Sequence, residues 1–208
     1  MIRLLHIDAS ILQAQSVTRQ LTADIASRLT EKYPDTHVVY RDVVADEISH
    51  LTGPIAAGFR SLDGDVFDER VIQQHRLSES LVAEFLASDV ILVGAPMYNF
   101  SVPTQLKAWL DRLAQAGKTF KYTENGPVGL SGGRTVIIAS ARGGFYHGGQ
   151  FKDMDFQERY LSAFFGFLGI ENIHFVRAEG ASKGEAILLR EMGNARHAAA
   201  TLIQSLNL

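Results

Sequence analysis

The 208-residue chain contains no cysteine. Disulfides, thiolate metal centres and cysteine nucleophiles are therefore excluded, and no metal site is expected. Neither sign of charge is in marked excess. The net charge of −3 gives no argument for nucleic acid or an anionic membrane as a partner. No apolar run is long enough to span a bilayer. The glycines and lysine of a Walker A loop are missing, as are the glycines of a dinucleotide fingerprint. The Gly-x-Ser-x-Gly elbow of a serine hydrolase is absent too. The third strand ends in Gly94-Ala95-Pro96 and carries no aspartate there, which argues against a phospho-acceptor receiver. Repeats, low-complexity tracts and linkers are all lacking. The chain opens directly on a strand-like segment, without a basic and apolar leader, so a cytoplasmic location is expected.

What is present is an ordinary globular composition, 46% hydrophobic and 21% charged, consistent with one domain over residues 1–208. The organising stretch is Ser88–Leu113. Val90–Val93 is a β-branched and aliphatic run suited to a strand buried on both faces. Pro96 is expected to end it. From Thr104, the residues Leu106, Trp109, Leu110 and Leu113 recur at helical spacing. Further strands are predicted at Ile2–Ile7, His37–Tyr40, Arg134–Ser140 and Ile173–Val176. Helices are predicted at Val17–Lys32, capped by Ser16 or Thr18, over most of Asp68–Ala87, at Tyr160–Leu168 and at Ala186–Leu206. Val43–Asp65 and Lys118–Leu130 are expected to be irregular excursions, the second turning at Asn125-Gly126-Pro127.

Strands alternating with helices argue for a parallel sheet covered on both faces. Five strands suit the order 2-1-3-4-5, with the switch point between the first and third strands. The loops after strands one, three and four then converge: Asp8–Thr18, Pro96–Val102 and Ala141–Gln150. The first leads into a helix N-terminus, an anion site, with hydroxyls on Ser10, Ser16 and Thr18. It suits a phosphomonoester better than a triphosphate. The second offers Met97, Tyr98 and Phe100 to a flat ring, with the amide of Asn99 beside them. The third holds Gly143 and Gly144, where a backbone can approach a ligand closely and stabilise negative charge on a reduced ring. Tyr146 and His147 follow as possible proton donors.

Pro96-Met97-Tyr98-Asn99-Phe100, Arg142-Gly143-Gly144 and Tyr122-Thr123-Glu124-Asn125-Gly126-Pro127 together resemble the bacterial FMN-dependent NADH-azoreductases. These belong to the flavodoxin-like NAD(P)H:quinone oxidoreductase superfamily, and the resemblance runs from Ile2 to the final helix. It implies a flavodoxin-like fold and a homodimer with one FMN per subunit near the interface. It implies that Ser10, Ser16, Val17 and Thr18 hold the phosphate and ribityl end. Pro96, Met97, Tyr98, Asn99 and Phe100 would line the isoalloxazine. Ala141, Arg142, Gly143 and Gly144 would approach its pyrimidine side. Arg60, Tyr122 and Phe167 would form a substrate wall. Two positions depart from the family pattern. Ser16-Val17-Thr18 stands where Ser-Gln-Ser is frequent, and Ala141 where serine is frequent.

The implied activity is reduction of quinones and aromatic azo compounds, with NADH or NADPH as donor and ping-pong kinetics. The alternative is a flavodoxin-like electron carrier without a hydride-donor site. The two long excursions favour the enzyme, because a carrier needs no walls.

Overall fold

Residue alternation in the central strand decides how the layers are built. In the computed structural model, which describes residues 1–60 and 67–208, β3 spans Val90–Pro96 and is buried throughout. Val90 and Leu92 face one layer, and Ile91 and Val93 face the other, as the two-residue side-chain period of a strand requires. β1 (Arg3–Asp8) divides likewise, with Leu4 on one side and Leu5 and Ile7 on the other. Completing the sheet are β2 (His37–Asp42), β6 (Thr135–Ala141) and β7 (Asn172–Ala178), in the spatial order β2-β1-β3-β6-β7. Every pairing in it is parallel. Counting only these five strands, the order is the expected 2-1-3-4-5.

One layer consists of α1 (Val17–Lys32) and α6 (Glu185–Ser205). Leu21, Ile25 and Leu29 of α1 meet Met192, Ala195, Ala199 and Ile203 of α6 over Leu4, Leu92 and Ile137 of the sheet. On the opposite face lie α3 (Glu69–Ala87), α4 (Thr104–Leu113) and α5 (Phe156–Phe167). There Leu81, Phe85, Trp109, Leu110, Leu161 and Phe165 pack on Leu5, Ile91, Val93 and Ile138.

Several boundaries differ from the sequence reading. β3 runs through Pro96 instead of stopping before it. The Met97 N–H donates to the Ala141 carbonyl at 2.8 Å on the β6 side. By the alternation of a parallel ladder, the nitrogen of Pro96 then faces β1, whose pairing with β3 has already ended at Asp8–Gly94. No ladder hydrogen bond is lost. α5 begins at Phe156, earlier than Tyr160, because the Asp155 carboxylate accepts the Glu158 N–H at 3.0 Å and caps it.

Neither excursion is irregular throughout. Within Val43–Asp65 a short helix, α2 (Gly53–Ala57), is held by the His75 ring, whose Nε2 lies 2.9 Å from the Pro54 carbonyl; residues 61–65 of that stretch lie outside the described residues. Lys118–Leu130 contains an antiparallel hairpin of β4 (Phe120–Thr123) and β5 (Gly126–Gly129). Its two loop residues are Glu124 and Asn125, and Gly126, with φ of +105°, starts the return strand. The hairpin docks backbone to backbone. A Cβ on Gly129 would lie 2.1 Å from the Gly169 nitrogen, so only glycine fits there.

Phe85 is fully buried, edge to face with Trp109 at 6.5 Å between centroids. Phe85→Ala should destabilise the fold by about 3–5 kcal/mol, a cavity cost, measured by urea denaturation. A loss below about 1 kcal/mol would contradict this account of the α3–α4 core.

Candidate functional site

The loops after β1, β3 and β6 do meet at the carboxyl edge of the sheet, the edge where open α/β sheets bind ligands. Ser10, Ser16, Val17, Thr18, Pro96, Met97, Tyr98, Ala141, Arg142 and Gly143 line one cleft of about 170 Å³. A larger cavity of about 780 Å³ opens at the opposite end of the strands, among Met1, Asp89, Arg134 and Leu208. Nothing in its lining groups as chemistry.

The first loop is built by capping. Ser16, not Thr18, is the N-cap of α1: its Oγ accepts the Arg19 N–H at 3.2 Å. The Thr18 hydroxyl sits 3.0 Å from Ser16 Oγ. As first-turn amides, the Val17 and Thr18 N–H groups have no intrahelical acceptor. Arg19 grips the Ser10 carbonyl through Nε at 3.3 Å and Nη2 at 2.9 Å, and pairs with Asp42 at 2.7 Å.

Beneath it lies Asp8 at the end of β1, which accepts from the Thr22 hydroxyl at 2.9 Å and from the Tyr40 hydroxyl at 3.1 Å. Burial by itself would push the Asp8 carboxyl up. The facing His6 imidazole, and the Thr22 and Tyr40 hydroxyls, outweigh it and hold the carboxyl below its ordinary value. The Tyr40 hydroxyl is pushed up to about 12, by burial first and then by the Asp8 charge.

The second loop is a tight turn. Tyr98 and Ser101 bond each other's backbone at 3.0 and 3.1 Å, and between them Asn99 and Phe100 both have positive φ, 48° and 72°. Two successive left-handed residues are the signature of a type I′ turn, normally filled by glycine or asparagine. For Phe100 the conformation costs about 1–2 kcal/mol, strain of the kind that collects at functional loops. The Tyr98 hydroxyl accepts the Ile11 N–H at 3.2 Å, which ties the second loop to the first.

The third loop is held by ions. The Arg142 guanidinium is fully buried and pairs with Asp155, Glu158 and Glu179, while Gln157 accepts from its Nε at 3.2 Å. Glu158 also takes Arg177 and the Ser140 hydroxyl. Lone buried charges are costly, and this partnering with further hydrogen bonds is what makes burial tolerable. Arg142 thus has no side-chain atom to offer a ligand, and its N–H is spent on the Ala178 carbonyl at 3.0 Å. The Gly143 and Gly144 N–H groups have no acceptor among the described residues.

Other expected residues fall outside the cleft lining. Asn99 and Phe100 form the adjoining turn, and Gly144 follows Gly143 beneath the Tyr146 ring. Tyr146 and His147 line a separate polar groove with Lys152 and Arg159. The Tyr146 ring lies 6.3 Å from Phe100. Tyr122 and Phe167 flank Phe120, at 5.3 and 4.7 Å between centroids. Tyr122 is 76% exposed, and Arg60 is exposed beyond α2. Conversely, Leu12, Ala181 and Ser182 line the cleft and were not singled out from sequence. Ala181 and Ser182 follow the fifth parallel strand, whose loop folds back over the third loop.

A family model described as having a flavodoxin-like fold matches residues 2–201. The chain is 54% identical over 203 residues to FMN-dependent NADH:quinone oxidoreductase 2 of Xanthomonas euvesicatoria, covering 98% of this chain and 94% of that protein. It is 58% identical over 182 residues to the FMN-dependent NADH:quinone oxidoreductase of Ralstonia nicotianae, covering 88% of each. Among solved structures it is similar to an azoreductase from Bacillus anthracis, with TM-score 0.91, 27% identity and coverage of 99% of this chain and 100% of that one. An FMN-dependent NADH-azoreductase from the same species, solved in complex with FMN, matches with TM-score 0.86 and 25% identity, over 98% of this chain and 100% of that one.

The lowered carboxyl of Asp8 stabilises the fold above the ordinary carboxylate range, and that contribution disappears as pH falls through the depressed folded value. Asp8→Asn should cost about 1–3 kcal/mol at pH 7. It should also flatten the loss of stability below about pH 4, measured by denaturation across pH. An acid limb identical to the wild type would contradict the role given to Asp8.

Proposed function

The chain belongs to the family with the flavodoxin-like fold, and from that premise we propose that it is an FMN-dependent NADH:quinone oxidoreductase that also reduces aromatic azo compounds. The observation that carries this is the meeting of three differently built loops in one cleft. The hydroxyls of Ser16 and Thr18 and the free first-turn amides of α1 fit a phosphomonoester. Met97 and Tyr98 fit one face of a flat ring. The unpartnered amides of Gly143 and Gly144 fit a polar ring edge that gains negative charge.

FMN, when bound, supplies the hydride chemistry. The chain's own residues orient it and exclude water from one face. Among the described residues no acid–base pair lines the cleft, so the proton for an acceptor comes from water or from Tyr146 or His147 in the neighbouring groove. Donor and acceptor occupy the same space in turn, which gives ping-pong kinetics. Cleaving an azo bond to two amines consumes two hydrides and hence two molecules of donor. NADH is the donor in this reading, which the names of the two similar proteins, both FMN-dependent NADH:quinone oxidoreductases, support; Arg142, locked among carboxylates, is not free to read a 2′-phosphate.

The cleft of about 170 Å³ is smaller than the roughly 300–1,000 Å³ usual for small-molecule sites. A second copy of the chain supplies the missing wall in this reading, giving a homodimer with one FMN per subunit. Arg60 and the exposed Tyr122 and Phe167 are its wall residues. The protein works in the cytoplasm, on small aromatic acceptors. The docked hairpin is a wall that an electron carrier would not need, which supports the enzyme over the carrier.

Anaerobic NADH should bleach the FMN-loaded protein, NADPH should do so more slowly, and a quinone should restore the colour. Steady-state double-reciprocal lines for NADH and quinone should be parallel. A flavin that neither nucleotide reduces would favour the carrier and overturn the proposal. Asn99→Asp adds a negative charge to the ring-facing turn and should weaken FMN binding about tenfold. Unchanged affinity in that variant would count against placing the turn beside the ring.

A further inference from the structure

We infer that Glu179 is a positioning residue that fixes the Gly143 amide on the cleft lining and the Gly144 amide beside it; the inference rests on the flavin reading of that cleft. Glu179 follows β7 directly. A single oxygen of its carboxylate, Oε1, takes three donors: Arg142 Nη1 at 3.0 Å, Tyr146 N–H at 2.7 Å and His147 N–H at 2.9 Å. It therefore clamps both ends of the segment from Arg142 to His147.

The residues after it finish the arrangement. Ala181 N–H donates to the Arg142 carbonyl at 2.9 Å, Ser182 N–H to the Gly143 carbonyl at 3.2 Å, and Gly180 N–H to the Gly144 carbonyl at 2.8 Å. Three successive carbonyls are thus turned onto one strip of backbone. The two glycine amides are left unpartnered among the described residues. Packing is close here too, since a Cβ on Gly143 would lie 2.7 Å from Ser182 Oγ and would turn that hydroxyl aside.

Glu179 differs from the other two acids on Arg142. Asp155 and Glu158 reach the guanidinium from the start of α5, and neither holds the backbone of the loop. Removing Glu179 leaves Arg142 with two carboxylates, so the buried charge stays compensated and the fold persists. What is lost is the anchor of the loop's return limb. Donors fixed before charge develops stabilise the charged state more than the neutral one. Loosening them should therefore lower the flavin's midpoint potential as well as its affinity.

The test compares the wild-type holoprotein with Glu179→Ala and Glu179→Gln. It measures FMN dissociation by fluorescence quenching, midpoint potential against a redox dye, and apoprotein melting temperature. Glu179→Ala should bind FMN about tenfold more weakly. If the reduced form loses a further tenfold, the potential falls by about 30 mV for a two-electron couple. Glu179→Gln keeps an oxygen for the Tyr146 and His147 amides and loses only the charge toward Arg142, so it should fall between. It decides the matter if the alanine variant fails to fold. Variants that melt lower yet match the wild type in FMN affinity and potential would show a merely structural role and overturn the inference. A wild-type protein that takes up no FMN would overturn the flavin reading itself, and this role with it.

Discussion

The parallel registration of β1, β3 and β6 is the constraint from which the site follows. Asp8 pairs with Gly94, and Pro96 with Ala141, so three strands stop within a few residues of one another at one edge. Parallel strands need crossovers on the faces, and helices there leave the carboxyl edge free for loops. Between β1 and β3 the chain direction of winding reverses. The gap this opens is where Ser16, Met97 and Gly143 come together. No single loop specifies the cleft, and each contributes a different chemistry: helix amides, an apolar turn and glycine amides.

Much of the molecule's buried polarity lies behind that edge rather than in it. Arg142 with its three acids secures the third loop, Arg19 with Asp42 secures the first, and Asp8 gathers Thr22 and Tyr40 beneath the first. Buried ion pairs contribute little net stability but are expensive to break. Their effect here is to allow few alternative placements of the loop backbones. A preorganised set of donors is what a charge-developing reaction benefits from most.

The parallel sheet was legible because its central strands are buried on both faces and read as unbroken aliphatic runs, as in Val90–Val93. The docked hairpin was not. Its second strand, Gly126-Pro127-Val128-Gly129, has neither alternation nor β-branched density, and its place is set by backbone contact with Gly169. The start of α5 was hidden by Gln157 and Glu158, polar residues whose burial depends on Arg142 and the strand ends. Arg142 itself stood out as part of a glycine motif, and one-dimensional reading assigned it to the ligand. Its side chain instead serves Asp155, Glu158 and Glu179, partners 13 to 37 positions away along the chain. Ala181 and Ser182 had no local signal at all, since only the fold shows that the loop after the fifth parallel strand turns back to the cleft.

The central claim is that this cleft is a flavin site, and a titration of the FMN-free protein with FMN, followed by quenching of flavin fluorescence, tests it most directly. The account predicts saturation at one FMN per chain, weakened when Ser16 or Gly143 is replaced by a bulkier residue. Fluorescence that stays at the free-flavin level throughout the titration would contradict it.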